Sequence, residues 1–137
     1  YTPLANASNR DSVRRLSAVA TAFKRGVREK TNCSSCGYCR SRAHGKGYLG
    51  KGDSFMINTT LYKGYDYVII GAGDSSVKDL DLKIYDGNWN LVNQDSKTDN
   101  IPIIKASPRW TGRFHIKVKM YNGNGYSNIA ICHLQPG

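Results

Sequence analysis

The chain has 137 residues, 39% of them hydrophobic, and carries 20 Lys and Arg against 10 Asp and Glu. That length suits one domain with a hydrophobic core of its own, and no apolar run approaches the roughly 20 residues of a membrane-spanning helix. The charge is uneven: residues 1–52 hold 11 Lys and Arg against Asp11 and Glu29, whereas residues 53–137 hold 9 against 8 Asp. A basic arm therefore precedes a balanced domain, which implies an anionic partner: nucleic acid, acidic polysaccharide, a lipid surface or an acidic patch on another subunit. A start at Tyr1 is what removal of an export leader would leave.

The stretch "SNRDSVRRLSAVATAFKRGVREK" predicts a helix from about Asn9 to Lys30, with Ser8 as its cap and Asp11 as the acidic partner of a capping box. Val13, Leu16, Val19, Ala20, Phe23 and Val27 recur at three- and four-residue spacing and so share one face. Arg14, Arg15, Lys24, Arg25 and Arg28 fall on the other side. The apolar face must be buried, on the chain's own domain or on a neighbouring copy. A head-to-tail contact between copies builds an open filament when its rotation does not close. Val13, Leu16, Val19, Phe23 and Val27 are thus a candidate assembly arm, and the five cations are the candidate contact for an anionic partner.

Residues Thr31 to Gly52 show no period and are expected to form a linker or an irregular cross-linked loop. Within it, "TNCSSCGYCRSRAH" places Cys33, Cys36 and Cys39 at two-residue intervals, and the fourth cysteine is Cys132. Haem attachment fails because Gly37 and Arg40, not His, follow the second and third cysteines. A thioredoxin-type motif lacks its βαβ context. Four thiolates around zinc, an iron–sulfur pattern and disulfides all stay open on spacing alone.

From residue 53 the pattern changes. "DSFMINTTL", "DYVIIGA", "DLDLKIYD", "NLVNQD", "IPIIKAS", "RFHIKVKMY" and "NIAICHL" are short β-rich runs separated by Gly, Asn and Asp turns. Seven strands at about ten-residue spacing imply an antiparallel sandwich. Leu80, Leu82 and Ile84 alternate with Asp79, Asp81 and Lys83, and Phe114, Ile116, Val118 and Met120 alternate with His115, Lys117 and Lys119. The apolar sets face the core. The division is residues 1–46 for the basic helical arm and Cys-rich linker, and 47–137 for the sandwich.

The stretch from Asp79-Leu80-Asp81-Leu82 through Tyr85-Asp86 and "DSKTDN" (Asp95 to Asn100) to Pro108-Arg109-Trp110-Thr111-Gly112 resembles the pre-peptidase C-terminal (PPC)-like domains of secreted bacterial proteins. The likeness covers roughly residues 47 to 134. It implies a mainly β, jelly-roll-like sandwich of about seven or eight strands, exported from a bacterium and acting as a non-catalytic appendage for binding or targeting. In the oxidising surroundings of an exported protein, two disulfides among Cys33, Cys36, Cys39 and Cys132 are the expected state. If all four are bridged within the chain, at least one of the clustered three pairs with Cys132. That bond closes a loop of roughly 95 residues, which contributes on the order of 4 kcal/mol in the loop-closure model.

Asp79 and Asp81 on one strand face, with Asp95, Asp99 and Asn100 in the following loop, form an oxygen-rich set that suits calcium. The same residues also build turns and blunt strand edges. Calcium is the one candidate cofactor. His44, His115 and His133 lie far apart in the sequence without a nucleophile in a catalytic arrangement, and "GAGDSS" opens no helix, so no enzyme is expected. Trp89, in a turn, is the better candidate for sugar stacking, and Trp110 is expected at the sandwich edge. Asn6, Asn32 and Asn58 each begin an Asn-x-Ser/Thr sequon. The expected function is an extracellular, non-enzymatic structural or interaction protein that self-associates through its helix as a homo-oligomer, filament, surface or matrix subunit. The alternative is a module that binds anionic polysaccharide or extracellular nucleic acid through the basic arm.

Overall fold

The computed structural model describes residues 3–42, 48–95 and 97–134. Helix α1 runs Pro3–Thr31 and is followed by β1 (Gly37–Arg42), β2 (Tyr48–Leu49), β3 (Ser54–Leu61), β4 (Asp66–Gly73) and β5 (Val77–Tyr85). After these come β6 (Leu91–Asp95), β7 (Ile103–Ala106), β8 (Gly112–Gly123) and β9 (Gly125–Leu134). The seven anticipated strands are β3 to β9. Their alternation encodes them: β3 buries every second residue, from Phe55 to Leu61.

One sheet has the order β1-β9-β4-β7, with β2 pairing β9 beyond the end of β1, and the other has the order β3-β8-β5-β6. All pairings are antiparallel. Apart from β1–β2 and β5–β6, consecutive strands alternate between the two sheets, which is the strand order of a jelly roll. The core between the sheets is built from Ile57, Leu61, Ile69, Leu80, Leu82, Ile84, Phe114, Ile116, Val118, Met120, Ile129 and Ile131.

Strands β4 and β9 are buried along almost their whole length rather than at alternate positions. The cause is α1, which covers the back of their sheet. Leu16 and Ala20 pack there on Ile70, Ala72, Ala130 and Cys132, with Val19, Phe23, Cys39 and Val68 around them. Polar contacts pin the same face: Asn128 Nδ2 donates to Ser12 Oγ at 2.7 Å, and the Ser75 amide donates to Asp11 Oδ2 at 3.0 Å. The helix also comes close to β1. A Cβ at Gly37 would stand 3.2 Å from that of Val27 and 3.3 Å from the Lys24 Cα.

Three expectations are corrected. The helix begins at Pro3, so Ser8 lies within it and does not cap it, and Asp11 holds Arg14, Arg15 and the Ser75 amide instead of a cap. Part of the stretch expected to be irregular is strand: residues 37–42 are zipped to β9, with Cys39 opposite Cys132. Val13 does not join the buried stripe and is 46% exposed. The expected domain boundary at residues 46 and 47, and His44, lie outside the described residues.

Candidate functional site: an aromatic and arginine-lined cleft

The disulfides set the geometry of this end of the molecule. Cys33 bonds Cys36, and Cys39 bonds Cys132 across the β1–β9 ladder with their Cα atoms 4.0 Å apart. Such a close pair is the arrangement of facing positions whose side chains share one side of the sheet. Cys39 points toward α1, so its neighbours Tyr38 and Arg40 point to the opposite side. Register then places Tyr38 opposite His133, and His133 opposite Tyr67. Three strands thus contribute a row of rings on one face.

The β3–β4 turn completes the site. Gly64 holds φ at 89°, a left-handed value that glycine adopts without strain, and the Tyr65 amide donates to the Tyr62 carbonyl at 3.3 Å. Tyr62 and Tyr65 are thereby turned onto the row. Tyr65 stacks on Tyr67 with ring centroids 5.9 Å apart and meets His133 edge-on at 5.2 Å, while Tyr38 lies 5.4 Å from His133. The Tyr62 amide donates to the Tyr67 hydroxyl at 2.9 Å, which fixes that ring beneath the turn.

These side chains line a cleft of about 200 Å³ together with Arg40, Thr59 and Thr60. It opens into a second hollow of about 330 Å³ that shares Arg40, Thr59, Thr60 and Tyr62 and adds Asn58 and Arg113. Tyr38 is 54% exposed, so its ring face is open to a ligand. Burial and the Arg40 charge hold the His133 imidazole below its ordinary pKa, so it is neutral at pH 7. Burial holds the Tyr67 phenol above its usual value, against the hydrogen bond from the Tyr62 amide. Among the described lining residues the fixed charge therefore comes from two guanidiniums, set beside rings, hydroxyls, the Asn58 amide and the apolar Leu61 and Ile131. The arrangement can stack a planar or ring-shaped group and pair a carboxylate or sulfate.

The residues singled out from sequence are distributed as follows. The stripe Leu16, Val19, Phe23 and Val27 lies against the chain's own sheet and β1. Of the cations, Arg14 and Arg15 pair with Asp11 at 2.9 and 3.5 Å, and Arg25 and Arg28 are exposed.

The acidic set is brought to one end of β5. The Asp99 carbonyl accepts from the Leu80 amide, and Asn100 Nδ2 donates to the Val77 carbonyl. Asp95 and Asp99 spend carboxylate oxygens on the amides of Lys97, Ile103 and Ile101. Oδ1 of Asp79 and Oδ1 of Asp81 are buried with no hydrogen-bond partner, and Asp79 is only 6% exposed although its position was expected to face solvent. Burial, and then the neighbouring Asp79 carboxylate, raise the pKa of Asp81. Among the described residues no three His, Cys, Asp or Glu side chains converge on a point that could hold a metal. Both carboxylate oxygens of Asp95 and one of Asp99 are already committed to backbone amides, which leaves the set short of the six to eight oxygens of a protein-only calcium cage.

His115, expected to face out, is buried under Trp89. Trp110 is exposed at the sandwich edge and stacks on Phe114. Asn58 is engaged with His115, and the side chain of Asn6 lies outside the described residues. The Tyr38, Tyr62, Tyr65, Tyr67, His133 and Arg40 cleft was not anticipated.

Fold and linkage together define a mainly β, disulfide-linked jelly-roll sandwich with a helix on its back. Two disulfides mark an oxidising environment of the extracellular kind, and among the described residues no helix is long and apolar enough to cross a membrane. No family model and no curated protein matches the chain.

Proposed function

We propose that this is an exported, non-enzymatic binding module for an acidic polysaccharide, held in the tyrosine and arginine cleft. The observation that carries it is the row Tyr38–His133–Tyr67, capped by Tyr62 and Tyr65 and flanked by Arg40 and Arg113. Aromatic faces bind the apolar faces of sugar rings, threonine and tyrosine hydroxyls serve their hydroxyl groups, and guanidiniums pair their carboxylates or sulfates. Among the described residues two cations, Arg40 and Arg113, line the cleft and its outer hollow, a density that suits a polymer of moderate charge. The exposed Arg25 and Arg28 on α1 add a long-range pull on any polyanion. The sequence resemblance to PPC-like domains, through Asp79 to Gly112, is in keeping with the same kind of role.

The test is calorimetric titration with polygalacturonate and heparin, with single-stranded DNA as the competing class. Binding of the polysaccharides that weakens with salt and is lost in Tyr38→Ala and Arg40→Gln is the expected result. Preference for DNA, or loss only in Arg25→Glu with Arg28→Glu, would replace the cleft with the basic helix face. Self-association remains the second reading. The apolar stripe of α1 is occupied by its own sheet, so assembly of copies would use other surfaces, such as the exposed Leu91, Val92 and Ile103 on the β6–β7 flank.

A further inference from the structure

The cleft does not end at Tyr62. Its outer hollow passes over the edge strand β3 to Asn58 and Arg113 on the outer face of the β3-β8-β5-β6 sheet. Asn58 Oδ1 accepts a hydrogen bond from His115 Nδ1, which lies opposite it in β8. Over that imidazole lies the indole of Trp89, with ring centroids 3.9 Å apart and planes only 5° from parallel, and Tyr85 stands beside it at 6.0 Å.

Trp89 is built into this position. Its φ is 66°, a left-handed value that is a genuine outlier for a bulky side chain. The turn is braced by Asp86, whose carboxylate accepts from the amides of Asn88 and Asn90 at 2.9 Å each and from Asn90 Nδ2 at 3.2 Å. The turn also rests on β8, since a Cβ at Gly87 would come within 3.3 Å of the Arg113 carbonyl. Strain of this kind collects at ligand clamps. One face of the indole covers His115, and the residue is still 56% exposed, so the other face meets solvent.

We propose that the outer face of Trp89 is a second stacking subsite for the same acidic polysaccharide, with Arg113 between the two aromatic sites. Tyr62, just past the end of β3, stands four residue steps from Asn58, roughly 13 Å of extended chain, so one ligand must be a chain of several sugar rings crossing the β3 edge. This rests on the cleft reading above and extends it to the ligand's length.

Calorimetry with galacturonate oligomers of two and eight units tests it on the whole disulfide-bonded chain. Trp89→Ala should weaken octamer binding about tenfold, the loss of one stacking contact, and leave dimer binding unchanged. Trp89→Phe should restore most of the octamer affinity, which separates stacking from damage to the turn. Tyr38→Ala should weaken both oligomers. Equal octamer binding by Trp89→Ala and the unaltered chain would overturn the second subsite while leaving the cleft in place. Equal loss for dimer and octamer would also overturn it. No binding of either oligomer to the unaltered chain would overturn both readings.

Discussion

The docking of α1 can be tested by shaving one side chain. Leu16 is 3% exposed and packed on Ala72, Ala130 and Cys132 from the sheet beneath, so Leu16→Ala removes buried methyl groups from a site that cannot collapse without moving the helix. Such truncations cost about 2–5 kcal/mol. Unfolding entropy near 2.1 cal/mol/K per residue gives a 137-residue chain about 0.3 kcal/mol/K. A loss of about 3 kcal/mol therefore lowers Tm by about 10 °C. Ser12→Ala leaves the Asn128 amide one partner short inside the same contact and should cost about 1–3 kcal/mol. Val13→Ala, at an exposed position of the same helix, should stay within about 0.5 kcal/mol. Urea and thermal unfolding followed by circular dichroism supply the three values. Sedimentation velocity on the same proteins reports association, which should not change because the contact lies within one chain. If Leu16→Ala melts with Val13→Ala, or lowers association while leaving stability intact, the helix is not docked as described.

Two further predictions concern the linkages and the carboxylates. The Cys39–Cys132 bond spans 93 residues and the Cys33–Cys36 bond only 3, which the loop-closure model converts to about 4.6 and about 1.6 kcal/mol. Paired Cys→Ser variants should therefore differ sharply in midpoint denaturant, and equal losses would refute that ordering. For Asp81, a folded pKa raised by burial and by Asp79 means the folded chain binds the extra proton. Its contribution is present in acid and is lost as pH rises from the ordinary 3.8 through the raised value. With a chelator present, Asp81→Asn should thus be more stabilising at pH 7 than at about pH 4. An equal effect of the substitution at both pH values would refute the raised pKa. The carboxylates of Asp11 and Asp86 act in the opposite sense. Backbone hydrogen bonds from Asn90 hold Asp86 low, and contacts with Arg14, Ser75 and Arg15 outweigh burial at Asp11, so their contributions fade only as pH falls below the usual carboxylate range.

What the sequence made legible follows from periodicity. Strands β3, β5 and β8 have one face on the core and one toward solvent, and their alternation announces it. Strand β1, "GYCRSR", carries no such pattern, because backbone pairing to β9 and one disulfide hold it rather than an apolar face. The cleft was hidden for the same reason. Tyr38, Tyr67 and His133 are far apart in the chain and meet only through register, and Tyr62 joins them through the β3–β4 turn. One signal was present: pairing Cys39 with Cys132 places the next residue on each strand, Tyr38 and His133, face to face. Trp89 was identified as exposed from its turn, but the indole lying on His115 depends on a left-handed backbone that no period encodes.

The central claim is that the cleft, not the basic helix, receives the ligand. Backbone and ring chemical-shift changes of the isotope-labelled protein during titration with galacturonate octamer test it most directly. The account predicts shifts at Tyr38, Arg40, Tyr62 and the His133 ring, which lie together in the structure, while Arg25 and Arg28 stay still. Shifts confined to Arg14, Arg25 and Arg28 on α1, with the tyrosine row unmoved, would contradict it.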